Sequence, residues 1–176
     1  MLATEWYMLV FRIVHILTGV SWVGSVFLFV VYIQPSAAAV GPAGAPFMAQ
    51  LLGKRRLIDG ILTMASITVA AGLFLYWHDW HLFNSFGDWV GSTFGKAFTV
   101  GALAAITALV IGVVVTRPNV GRLLSLGRQV AESGGPPSPE VGAEMTAIQG
   151  RLKTFARLSL GLLVLATLAM ATARYL

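Results

Sequence analysis

The sequence predicts an all-α integral membrane protein that folds as one four-helix bundle. Of its 176 residues, 57% are hydrophobic and only 11% are charged, whereas roughly 25% of residues are charged in an ordinary soluble domain. The mean hydropathy is +0.80. Four apolar stretches reach the length of about 20 helical residues that a hydrocarbon core requires. They are Val10–Ile33, Leu57–Trp77, Ala97–Thr116 and Phe155–Ala173.

The first span carries ionisable residues at membrane depth, where such residues are rare and usually functional. Arg12, His15, Gly19 and Trp22 follow one another at steps of three or four residues. On a helix, this spacing predicts that the four side chains share one face. The span is too long for a signal peptide and lacks a convincing small-residue cleavage site, so we expect it to remain in the mature protein.

The connection after the first span is rich in alanine, glycine and proline. Pro35, Pro42 and Pro46 favour an irregular excursion over residues 34–53, with at most one helical turn near residues 47–52.

The second span ends in the segment WHDWHLF, which contains His78, Asp79 and His81. Two imidazoles and a carboxylate are suitable ligands for an external zinc or copper ion. The neighbouring tryptophans instead favour solvated anchors at the membrane interface; they are Trp77, Trp80 and Trp89.

The third span carries small residues every four positions, among them Ala97, Gly101 and Ala105, which predicts close helix packing in lipid. A cytoplasmic helical hairpin is predicted over residues 119–154. Residues 134–137 should break it, and Ser138 should cap the fourth helix ahead of Pro139. Within the spans, Met64 and Met170 are predicted to fill gaps in the core, with ligation of haem or copper as the alternative.

Charge asymmetry predicts the orientation of the bundle. Nine of the twelve basic residues fall between spans one and two or between spans three and four. The opposite side holds Arg12, Lys96 and Arg174. The positive-inside rule therefore places both termini outside, in a multi-pass protein of the inner (plasma) membrane. The pI near 10.1 is then explained by the basic residues that set the topology, and these residues would also attract anionic lipid. Nucleic-acid binding is not expected.

The chain contains no cysteine. This absence excludes disulfides, thiolate metal sites, iron–sulfur clusters and covalent attachment of c-type haem. No arrangement of serine, threonine or carboxylate residues indicates hydrolysis, and no glycine loop indicates phosphate binding. A cofactor, where one is bound, must be held noncovalently.

The pattern Arg12-x-x-His15 followed by Trp22-x-Gly24 resembles the first helix of the HemJ-type and CopD-like families of small membrane proteins. The second span, KRRLIDGILTMASITVAAGLFLYW, has a similar basic entry and a similar Gly-Leu-x-Leu-Tyr exit. Lys96 lies where HemJ-type proteins carry a lysine at the start of the next helix. The chain departs from the HemJ pattern at residues 31–33, which lack the additional histidines, and its spans contain no methionine or histidine cluster suited to Cu(I).

The resemblance implies a helical bundle that binds haem b through His15. Such a protein would transfer electrons to a partner in the membrane or periplasm, or oxidise a small hydrophobic substrate such as a porphyrinogen. The residues themselves are compatible with haem, because Gly19 would leave room for a flat macrocycle and Trp22 would supply an aromatic wall. Arg12 and Arg174 would pair with the propionates.

His78 is the candidate second axial ligand, with His81 beside it on the same helix face. The alternative to haem is a CopD-like transporter or assembly protein without a cofactor. In that interpretation Arg12, His15, Lys96 and Arg174 surround an outward-facing polar pocket for a metal ion or an anion. The sequence leaves open whether the protein forms a homo-oligomer.

Overall fold

The computed structural model describes residues 2–175, and the side chains of residues 6–175. It is 92% helical, and the described residues form no strand. Four helices are long and apolar enough to cross a membrane. They are Trp6–Ala39, Leu57–Trp80, Thr93–Ser133 and Pro139–Tyr175. The predicted all-α four-helix membrane bundle is therefore confirmed.

The first membrane helix and the connection after it are helical almost throughout. The chain passes through α1 (Leu2–Leu28), a π turn (Phe29–Ile33), α2 (Gln34–Ala39), a 3-10 turn (Gly41–Ala43), α3 (Gly44–Ala49) and a second π turn (Gln50–Lys54).

The expectation of an irregular excursion over residues 34–53 was thus wrong. Pro35, Pro42 and Pro46 each fall within the first three residues of a helical segment. Pro42 stands in the first turn of its segment, where the N–H groups have no intrahelical acceptor, so proline loses no hydrogen bond. Pro35 lies inside the continuous helix Trp6–Ala39, directly after the π turn. Local π adjustments allow membrane helices to accommodate proline.

The second and third membrane helices are joined by a short capped helix. α4 (Leu57–Trp80) is followed by α5 (Phe86–Gly91) and α6 (Thr93–Ile111). The Ser85 and Ser92 hydroxyls cap α5 and α6, because each accepts a backbone N–H of the first turn, at 3.0 and 2.9 Å.

The last two long helices form the predicted hairpin. A π turn (Gly112–Thr116) leads from α6 into α7 (Arg117–Ser133), which ends at Gly134 with φ +65°. The Ser138 hydroxyl caps α8 (Pro139–Thr172) by accepting the N–H of Val141 at 3.4 Å. The predicted break and cap are both confirmed.

Ion pairs at the end of the bundle opposite the termini join α7 to α8 and α4 to α7. Arg122 makes two hydrogen bonds to the Glu144 carboxylate, at 2.7 and 2.9 Å, and so links α7 to α8. The carboxylate of Asp59 accepts hydrogen bonds from Arg56 and Arg117, both at 2.9 Å. We call the end of the bundle where these ion pairs lie the basic end. The opposite end, where α1 begins and α4 finishes, is called the terminal end.

Each membrane helix contributes one buried residue to the core of the bundle. These residues are Trp22, Ala65, Ala108 and Leu163. Small residues also bring α6 and α8 together, as the sequence predicted: a Cβ at Gly101 would lie 2.9 Å from Met170 Cγ. α1 packs mainly on α4, and α6 mainly on α8, and a cavity lies where these two pairs meet.

Candidate functional site

A cavity of about 80 Å³ lies between α1, α4, α6 and α8. It is partly open, since Leu73 in its wall is 49% exposed. Its walls are mostly apolar. The lining residues whose side chains contain nitrogen, oxygen or sulfur are His15, Thr68, Tyr76, Asp79, Trp89 and Met170. Because it combines an intramembrane histidine with few polar groups, this cavity is the candidate functional site.

The backbone of α4 fixes the orientation of the His15 imidazole. Nδ1 of His15 lies 2.8 Å from the backbone oxygen of Thr68. Since a carbonyl oxygen only accepts, Nδ1 must carry the proton, and in the neutral ring Nε2 is then the nitrogen with a free lone pair. Metal-binding histidines are commonly held in this way.

A glycine on α4 makes room for the same ring. A Cβ at Gly72 would lie 2.7 Å from Cε1 of His15 and 3.0 Å from its Nδ1. These separations are shorter than van der Waals contact, so the ring occupies the space that a side chain at position 72 would need.

Two hydroxyls complete the junction of α1 with α4. The Thr68 hydroxyl lies 2.8 Å from that of Thr18 and 2.8 Å from the Met64 carbonyl oxygen. Thr18 donates its own proton to the carbonyl of Val14 at 2.7 Å. Because unpaired polar groups are costly in hydrocarbon, this network stabilises one position of His15.

Met170 on α8 lines the same cavity as His15. Its side chain packs on the bare backbone of Gly101. The sequence predicted Met170 as a core residue and gave no sign that it would share a cavity with His15. An imidazole and a thioether therefore belong to residues that border the same cavity.

The wall of the cavity toward the terminal end is formed by Tyr76, Asp79 and Trp89. The Tyr76 hydroxyl is hydrogen-bonded to that of Thr99 at 2.8 Å. Trp89 is 0% exposed, so its predicted role as a solvated interface anchor was wrong. It is buried because its ring packs against Tyr76 of α4 and against Phe94 and Phe98 of α6. Trp77 is 52% exposed, as an interface anchor should be.

The structure does not gather the three predicted outer cations around His15. Arg12, Lys96 and Arg174 are all exposed, and none of them lines the cavity. A step of three residues turns a helix by about 300°, so Arg12 points about 60° away from His15.

The remaining residues predicted for a haem site also lie elsewhere. Trp22 belongs to the packed core, and a Cβ at Gly19 would lie 3.4 Å from Thr68 Cγ2. α4 therefore fills the space that Gly19 was expected to leave for a macrocycle.

The other two histidines do not line the cavity, although Nδ1 of His78 lies 3.4 Å from the carboxylate of Asp79, which does. His78 is half-buried beside the Tyr7 ring, with centroids 6.3 Å apart, while His81 is exposed with Nδ1 2.7 Å from the Trp77 carbonyl oxygen. Within residues 2–175, no three His, Cys, Asp or Glu side chains are grouped to hold a metal ion. The external zinc or copper site expected at His78, Asp79 and His81 is therefore not formed.

The volume of the cavity tests whether the expected haem b could fit between the helices. Pockets that hold drug-sized organic ligands measure about 300–1,000 Å³, several times the 80 Å³ found here. The imidazole orientation suits axial ligation, but a tetrapyrrole does not fit between the helices as they lie.

No family model, curated protein or solved structure matches this chain.

Proposed function

We propose that this protein is a membrane transporter that takes up the soft monovalent cation Cu(I) through a site at His15 and Met170. The observation that carries the proposal is the cavity that these two residues line together. Thioether ligands select Cu(I), and imidazole is also a copper ligand. The hydrogen bond from Nδ1 to the Thr68 backbone leaves Nε2 as the ligating atom.

The charge of the lining favours a cation over an anion. Among the described residues that surround the cavity, Asp79 is the one carboxylate, and none is lysine or arginine. Cu(I) bound by a neutral imidazole and a thioether keeps its positive charge. An unpaired charge at the bilayer centre costs about 2.5–3.5 kcal/mol on insertion scales, and the Asp79 carboxylate would reduce this cost.

The ligand set also argues against hard divalent cations. Calcium requires six to eight oxygen ligands, and magnesium requires an octahedral set. The hydroxyls of Thr68 and Tyr76 are already engaged with other side chains. Zinc sites take three or four N, S or O ligands. In the part of the chain described here, no three His, Cys, Asp or Glu side chains are grouped to supply them.

The position of the cavity suggests the direction of transport. Asp79 and Trp89 lie on its side toward the terminal end. The positive-inside rule assigns this end to the outside of the inner membrane, because nine of the twelve basic residues belong to the opposite side. Cu(I) would then enter from outside.

Haem b is the second candidate, because the same imidazole orientation suits axial ligation of iron. The cavity is too small for it, so we assign no step to haem. A visible spectrum of the purified protein separates the two proposals.

Purified protein titrated anaerobically against a chromophoric Cu(I) chelator is expected to retain about one Cu(I) per chain, and liposomes containing it should accumulate Cu(I). Zn²⁺ at the same concentration should not be retained, because two neutral ligands do not complete a zinc site. Failure to compete with the chelator, or equal retention of Zn²⁺, would contradict the proposal.

A further inference from the structure

Trp89 closes the cavity on the side of the terminal end. Its ring is 0% exposed and lines the cavity. It makes edge contacts with the rings of Tyr76, Phe83 and Phe94, at centroid distances of 5.4, 5.1 and 5.6 Å. The indole is carried by the short helix α5 and packs against rings of α4 and α6 at the edge of the cavity nearest the terminal end.

The backbone around Trp89 is held in one position. The Ser92 hydroxyl donates to the Trp89 carbonyl oxygen at 2.7 Å and accepts the N–H of Gly95 at 2.9 Å. A Cβ at Gly95 would overlap the Trp89 carbonyl oxygen. These local contacts specify where the indole sits, so its orientation is a feature of the fold.

The indole N–H has no hydrogen-bond partner. Nε1 of Trp89 is buried, and no acceptor atom of the described residues lies within reach. Buried donors in folded proteins are almost always paired, often with an internal water. The adjoining cavity of about 80 Å³ has room for several waters, since one water needs about 10–15 Å³ of probe-occupied volume.

Polar groups continue from Trp89 toward His15 along one face of α4. Asp79, Tyr76 and Thr68 recur at three- and eight-residue intervals, with Gly72 between the last two, and all four line the cavity. This spacing keeps them on one helix face. Because the Thr68 and Tyr76 hydroxyls are already hydrogen-bonded to other side chains, waters in the cavity would find their partners mainly at Asp79, the Trp89 N–H and His15.

We propose that the cavity is hydrated and that Trp89 is its gate. The indole N–H donates to an internal water, and the ring separates that water from the terminal end. Displacement of the ring opens a hydrated path to His15. This inference depends on the cavity and not on the identity of the cation, so its test uses no metal.

The natural absence of cysteine allows a direct accessibility test. A single Ala102→Cys substitution places a thiol on the cavity wall, and Leu103→Cys places one on the neighbouring residue, which is 61% exposed on the lipid-facing surface. A small cationic thiosulfonate reagent is added to the protein in liposomes. It should modify the first thiol slowly and the second much more slowly, because only the first meets water.

Adding Trp89→Ala should raise the modification rate of Ala102→Cys about tenfold or more, whereas Trp77→Ala should leave it unchanged. Trp77 is the matched control, since it is half-exposed and does not line the cavity. An unchanged rate in the Trp89→Ala protein would overturn the gate. Faster modification of Leu103→Cys than of Ala102→Cys would overturn the hydrated path.

Because loss of a fully buried indole can prevent folding, a second measurement uses Trp89→Phe, which keeps an aromatic ring in the cluster. In ¹⁵N-tryptophan NMR spectra, the indole signal missing from this variant is that of Trp89. In the wild type it should show magnetisation transfer from water. A Trp89 indole signal without such transfer would exclude the internal water.

Discussion

Replacing His15 with alanine is expected to lower the affinity for Cu(I) at least about 100-fold. The substitution removes the imidazole whose Nδ1 is held by the Thr68 backbone. Loss of a residue that only supports a metal ligand already costs about 10–100-fold in affinity, so loss of the ligand itself should cost more. The measurement is competition with a chromophoric Cu(I) chelator.

His81→Ala is the matched control, because its imidazole is exposed and lies outside the cavity. This variant should bind Cu(I) as the wild type does. Equal affinities of the His15→Ala and wild-type proteins would show that Cu(I) binds elsewhere or not at all. The far-UV circular dichroism of both variants should remain helical, because one imidazole contributes little to the packing of four membrane helices.

Gly72→Ala is expected to disrupt the site without adding or removing a ligand. Its new methyl group would lie 2.7 Å from Cε1 of His15, so either the ring or α4 must move. Overpacking of this kind typically costs about 1–3 kcal/mol. We expect a lower midpoint of thermal unfolding and a Cu(I) affinity that is reduced about tenfold or more.

Gly60→Ala tests whether any such effect is specific. Gly60 lies on the same helix, and a Cβ there would meet nothing within 4 Å. The variant should be as stable as the wild type or slightly more stable, because alanine favours a helix by about 1 kcal/mol over glycine. A Gly72→Ala protein with unchanged midpoint and affinity would mean that the imidazole is not confined as described.

Much of the fold follows directly from the sequence. Apolar length alone located the four membrane helices, and local capping chemistry at Gly134 and Ser138 located the hairpin. The connection at residues 34–53 was misjudged because three prolines were counted without regard to their position. Each lies within the first three residues of a helical segment, and Pro35 follows directly on a π turn, so the chain stays helical.

The site was less predictable, because its residues come from different helices. His15 could be identified because an ionisable residue at membrane depth is unusual. Met170 was named only as an alternative ligand for haem or copper, and Trp89 only as an interface anchor, because methionine is ordinary in a core and tryptophan is ordinary at an interface. Their significance depends on tertiary packing, which brings the thioether and the indole to the cavity that His15 lines.

The grouping of Arg12 with His15 failed for a geometric reason. The steps from Arg12 to Trp22 alternate between three and four residues, but the four positions still spread over about 80° of the helix, and Arg12 stands about 60° from the imidazole. His15 and Trp22, seven residues apart, stay within about 20° of each other, and both face inward.

X-ray absorption spectroscopy of the Cu(I)-loaded protein tests the central claim most directly. The spectrum of the wild type should show one imidazole nitrogen and one thioether sulfur bound to copper. The sulfur contribution should disappear in Met170→Leu and persist in Met64→Leu, because Met64 does not line the cavity. A copper environment without sulfur, or a purified protein whose Soret band is lost in His15→Ala, would contradict the assignment of this cavity to Cu(I).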